Sequence, residues 1–163
     1  MRERLPSLPQ DIKLLCLAPE QHCGAPNTFV TDDMPFLSYQ VSIQQAVRNA
    51  ERFFKEAGGD AIRLESGRRV CPQIRTIADG GMLVLGHIVL IPQSSGQLGG
   101  FKAQGRTANT ATELIEDALA VQEAGAFAIL VEAVPPEVCG IIRDRLTIPV
   151  YSIGAGGMQM DSF

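Results

Sequence analysis

Four ionisable residues in this chain share a place in the pattern. Asp33, Glu65, His87 and Glu132 each fall at, or just after, the carboxyl end of a short apolar run: TFVTD (28–32), AIRLE (61–65), MLVLGHI (82–88) and FAILVE (127–132). If these runs are strands of one parallel sheet, their carboxyl ends meet on one face, which is where α/β folds bind ligands. Asp33 and Glu65 would then come from adjacent strands. Two such carboxylates suit a hard divalent cation such as Mg2+, which takes one or two of them and keeps its other positions for water or substrate oxygens. Glu132, two strands further on, would stay unligated and serve as a base. Each residue also has a plainer use. Asp33 can cap a turn before Pro35, and Glu65 can pair with Arg63 on the same strand face. His87 can be a hydrogen-bonded histidine near the core, and Glu132 a surface residue before Ala-Val-Pro-Pro. The four together at one strand end favour a single site over four coincidences.

The elements that must position them alternate along the chain. Ser42–Ala57 carries Ile43, Ala46, Val47, Ala50, Phe53, Phe54 and Ala57 at helical spacing and is stopped by Gly58-Gly59. Arg69–Ala78 reads as a weaker helix ended by Gly80-Gly81. A polar, glycine-rich loop spans 91–107, of the kind that covers active sites. Thr110 to Glu113 has the form of a capping box and opens a helix that Gly125 ends. A further helix runs from Pro135-Pro136 to Leu146, and Pro149–Ile153 is the last strand. Near-continuous apolar strands separated by helices predict a parallel α/β fold with right-handed crossovers. Open doubly wound sheets and barrels both fit. No G-x-G-x-x-G follows the first strand and no phosphate-loop pattern occurs, so a nucleotide fold has little support. Residues 1–27 show no period and are expected to form a poorly structured lead-in to a domain over 28–163.

Composition removes other classes. The chain has 163 residues, 14 Lys and Arg against 18 Asp and Glu, and a formal net charge of −4. No basic stripe is available for a phosphate backbone, so nucleic acid is not an expected partner. No apolar run approaches the roughly 20 residues of a membrane span. Cys16, Cys23, Cys71 and Cys139 form no C-x-x-C pair and match no zinc spacing, which reads as reduced thiols in a cytoplasmic protein. The apolar stretch Leu14–Ala18 is too short for a signal peptide, and Glu3 and Asp11 beside Arg2 and Arg4 argue against a transit peptide.

The motifs DDMPFLSYQ (32–40), DAIRLESG (60–67), LGHIVLIPQSSGQLGGFKAQGRT (85–107), EAGAFAILVEAVP (123–135) and IPVYSIGAG (148–156) resemble the ketopantoate hydroxymethyltransferase family. They place residues from about Gly24 to Gly156 in register with it. The resemblance implies a (β/α)8 TIM-type barrel of the phosphoenolpyruvate/pyruvate superfamily. It also implies transfer of a hydroxymethyl group from 5,10-methylenetetrahydrofolate to 3-methyl-2-oxobutanoate with Mg2+, in pantothenate synthesis, by a homo-oligomer. On that resemblance Asp33 and Glu65 are the metal-site positions, Glu132 is the catalytic base, and Arg63, His87 and Asp33 contact substrate.

Two departures accompany it. Arg63 stands where the family usually has lysine, and a guanidinium fork is not equivalent to an ammonium point charge. A complete barrel usually takes about 250 residues. The expectation is therefore an incomplete barrel of about five βα units, without the family's Gly-Asp-Ser segment and last strand. The alternative functional reading is a truncated, catalytically impaired fragment of that family.

Overall fold

A computed structural model describes residues 28–88 and 107–153. The expected lead-in over 1–27, nearly all of the 91–107 loop and the segment from 154 onward lie outside the described residues. The strands are β1 (Thr31–Asp33), β2 (Ala61–Glu65), β3 (Val84–Ile88), β4 (Ala128–Glu132) and β5 (Val150–Ile153). The helices between them are α1 (Ile43–Arg52), α2 (Cys71–Asp79), α3 (Ala108–Glu123) and α4 (Pro136–Arg145). A wide π turn, Phe53–Ala57, extends α1 to Gly58, whose φ of 74° ends it. A 3-10 turn, Gly67–Val70, leads into α2.

Among the described residues all four strand pairings are parallel, and the spatial order is β1-β2-β3-β4-β5. This order decides between the two architectures left open by the sequence. A doubly wound sheet reverses direction at a switch point. Here every crossover steps the same way, so right-handed connections put all the helices on one side of the sheet, as in a barrel wall.

Strand parity then sorts the side chains. Ile62, Leu64, Val84, Ile88, Ile129 and Val131 point towards the helices and join one apolar core with Ala46, Ala50, Phe53, Ile74, Ile77, Val121, Val138 and Ile142. Gly86 belongs to this side, and a Cβ there would collide with the side chain of Val121. Its bare backbone lets α3 lie close to β3. The alternate residues Arg63, Glu65, Leu85, His87, Leu130 and Glu132 share the other face.

Local boundaries differ from the sequence reading for identifiable reasons. β1 covers Thr31–Asp33 and not residues 28–32, because the Val30 amide is taken by Asp60 Oδ2 at 2.8 Å. Phe29 is exposed and packs edge-on against Phe127, with ring centroids 5.8 Å apart. β3 begins at Val84 because the Met82 amide bonds back to the Ile77 carbonyl and closes the turn after α2. The cap of α3 is Thr107, one turn before the expected Thr110–Glu113 box. Thr107 Oγ1 accepts from the Thr110 amide at 3.3 Å, and the Thr110 hydroxyl reaches back to the Thr107 amide at 3.1 Å. A T-x-x-T pair thus does the work expected of T-x-x-E.

Candidate active site

The expected site residues converge. The Cα register sets Asp33 opposite Arg63, Glu65 opposite His87, and His87 opposite Leu130, two residues before Glu132. Ionisable side chains therefore run across four neighbouring strands. Arg63 Nη2 donates to Asp33 Oδ2 at 2.7 Å, and its Nε also lies against Asp33 Oδ1. The same guanidinium stands 3.8 Å from Glu65 Oε1. His87 lies between two acids, with Nδ1 3.5 Å from Glu65 Oε1 and Nε2 3.1 Å from Glu132 Oε2. Neither ring nitrogen is aligned for a hydrogen bond among the described residues.

Burial grades along this row. The side chains of His87 and Glu65 are 0% and 4% exposed, Arg63 and Glu132 are 21% and 24% exposed, and Asp33 is 54% exposed. The interior end is dry enough to strengthen electrostatic interactions, while Asp33 and Glu132 remain open to an incoming molecule. The plainer pairing of Glu65 with Arg63 is present only as the looser contact; the main partner of Arg63 is Asp33. Glu132 is no isolated surface group, since it faces the buried imidazole.

Mg2+, implied by the family resemblance, suits the chemistry of these donors. Asp33 and Glu65 supply two carboxylates from adjacent strand ends, the number this ion usually takes from protein. Glu65 Oε2 is buried without a hydrogen-bond partner among the described residues, which is a costly state for a carboxylate that nothing coordinates. Among those residues no group of three or more His, Cys, Asp and Glu is arranged as a metal site.

Backbone geometry marks the same end of the sheet. Among the described residues three non-glycine residues have positive φ: Leu37 at 67°, Ser66 at 102° and Ala133 at 55°. Ser66 and Ala133 directly follow Glu65 and Glu132. Strain of this kind costs of order 1–3 kcal/mol per residue and collects where side chains must be aimed.

Tyr39 is a contributor that the sequence reading did not single out. It is fully buried, its hydroxyl accepts from the Glu65 amide at 3.1 Å, and it lies 3.4 Å from the Glu65 carbonyl. β1 leaves the sheet at Asp33, so this hydroxyl takes over the edge pairing that a longer β1 would have given Glu65. Gln73 holds the Tyr39 carbonyl at 3.2 Å, and Asn49 holds the Ser38 carbonyl at 2.6 Å. Burial pushes the Tyr39 hydroxyl up to about 12, against the opposing pull of its Glu65 backbone hydrogen bond. The only signal in the sequence was its place: a lone tyrosine in the loop after the first strand, with no period to report it.

A singly wound parallel sheet with ionisable groups gathered on one face at the carboxyl ends defines the (β/α)8 barrel class. Solved structures agree on the fold. A Burkholderia cenocepacia protein assigned as a phosphonomutase superposes with a TM-score of 0.64 at 14% identity, over 86% of this chain and 61% of that one. The 2,3-dimethylmalate lyase of the PEP mutase/isocitrate lyase superfamily superposes with a TM-score of 0.54 at 17% identity, over 82% and 47%. The family model for ketopantoate hydroxymethyltransferase matches residues 16–162, beyond the Gly24–Gly156 stretch that the motifs alone cover, and the chain belongs to that family. The 3-methyl-2-oxobutanoate hydroxymethyltransferase of Alkaliphilus metalliredigens is 66% identical over 140 residues, 83% of this chain and 50% of the relative. That of Heliobacterium modesticaldum is 51% identical over 140 residues, 83% and 51%. The chain thus spans about half the length of the curated relatives it matches.

Proposed function

We propose that this chain carries the keto-acid half of a hydroxymethyltransferase site, acting in transfer of a one-carbon unit from 5,10-methylenetetrahydrofolate to 3-methyl-2-oxobutanoate. The observation that supports this most is the Glu65–His87–Glu132 row at the strand ends of a chain in this family. The keto-acid lies over the row, its anionic end towards Arg63. Glu132, partly open and 3.1 Å from His87 Nε2, takes the proton from C3 of the keto-acid. His87 faces the developing enolate from a buried position, where a donor needs no reorganisation. Bound Mg2+, held by Asp33 and Glu65, supplies Lewis-acid polarisation of the keto oxygen. Water adds to the methylene carbon of the co-substrate and frees it as formaldehyde, with tetrahydrofolate leaving; C3 of the enolate then bonds to that carbon, whose oxygen takes up a proton to become the new hydroxyl. A cytoplasmic setting and assembly as a homo-oligomer belong to the same reading. No helix among the described residues is long and apolar enough to cross a membrane.

The test is isotope exchange. The purified chain, given Mg2+ and 3-methyl-2-oxobutanoate deuterated at C3, should wash the label into water without any folate present. A folded preparation that leaves the label at the uncatalysed rate removes this reading.

A further inference from the structure

The two candidate metal carboxylates are in opposite conditions. Among the described residues Glu65 keeps a buried oxygen with no hydrogen bond, whereas both oxygens of Asp33 lie against Arg63. Arg63 stands directly across from Asp33 in the parallel register, so the β1–β2 ladder brings the two side chains together. A guanidinium fork matches a carboxylate at two points, and an ammonium cannot do the same.

We propose that Arg63 is a resident counter-cation that competes with the divalent ion for Asp33, so that the ion binds only by taking Asp33 from the guanidinium. This rests on the reading of Asp33 and Glu65 as the ion's ligands. Two consequences separate it from a pair that merely ties β1 to β2. Removing the guanidinium must strengthen cation binding, because the carboxylate is released and a neighbouring positive charge disappears. The gain must also vanish when Asp33 can no longer ligate. Lysine at position 63 should fall between, since its ammonium keeps the charge and engages only one oxygen at a time.

Mn2+, read directly by its electron-spin resonance signal, tests this on the whole chain without any turnover. Circular dichroism and the thermal midpoint serve as checks on folding. Arg63→Met is expected to bind Mn2+ at least tenfold tighter than the unaltered protein, and Arg63→Lys a few-fold tighter. In an Asp33→Asn background, Arg63→Met should give at most a small change. Should Arg63→Met misfold, Arg63→Lys decides the matter alone. Unaltered protein that binds Mn2+ while the folded Arg63 variants bind it equally or more weakly overturns the competition but leaves the ligands standing. Absence of Mn2+ binding at millimolar concentration in every form overturns the ligand reading, and the competition with it.

Discussion

The two faces of the sheet are built from the same strands and follow opposite rules. In β2, Ile62 and Leu64 disappear into hydrocarbon, while Arg63 and Glu65 between them carry charge. In β3, Val84 and Ile88 pack on the helices, and His87 beside them meets two carboxylates. One face has its polar groups satisfied by the ladder and its side chains by close packing. The other gathers groups whose partners are incomplete. The difference teaches that stability and chemistry are divided here by residue parity, so substitutions one position apart should have unrelated consequences.

The sharpest way to break that division is a pair of single changes. Glu132→Gln should lower the exchange of the C3 proton by about 10²- to 10⁴-fold, the usual loss for a positioned base. Its thermal midpoint should stay where it was, because the group is partly exposed and makes no aligned hydrogen bond among the described residues. Leu64→Ala on the opposite face should cost about 2–5 kcal/mol of unfolding free energy in a denaturant titration, through lost burial and a residual cavity. If Glu132→Gln destabilised the chain as much as Leu64→Ala, the division would be false.

Tyr39 tests the seam, since it packs with the helix-side core and bonds to the backbone of a site residue. Its ionisation point is raised from the ordinary 10.0 to about 12 by burial. The unfolded chain therefore loses this proton first, and stability is fully present below pH ~10 and is lost as pH climbs towards 12. The slope from this one group is about 1.4 kcal/mol per pH unit. Urea titrations across that window should show it in the unaltered protein, and Tyr39→Phe should flatten it. The smallest effect belongs to a position away from both faces. Thr107→Ala removes the α3 cap and should cost about 1 kcal/mol in the same titration, with no change in isotope exchange.

Much of this arrangement was legible in the chain because it rests on periodicity. Buried parallel strands must be apolar on both sides except at their ends, so Glu65, His87 and Glu132 stood out against their own runs. Helix stops written in glycine were equally visible. What escaped depends on contacts between distant segments. The start of β1 was obscured because Phe29 and Val30 look like strand residues until Asp60 claims the Val30 amide. Asp33 was placed correctly, but its partner was missed, since only the register across the ladder reveals that Arg63 faces it and not chiefly Glu65. The α3 cap shifted one turn because two threonines make the reciprocal bonds for which a glutamate is the usual marker.

Ser66 and Ala133 hold a backbone conformation that glycine adopts freely, immediately after Glu65 and Glu132. Selection for thermal tolerance alone would favour glycine at both positions, since the relaxed backbone would add stability. The same change would give the two carboxylates a looser hinge. A protein in this state sits below the ruggedness its fold allows, and the shortfall is concentrated where two acids have to be pointed.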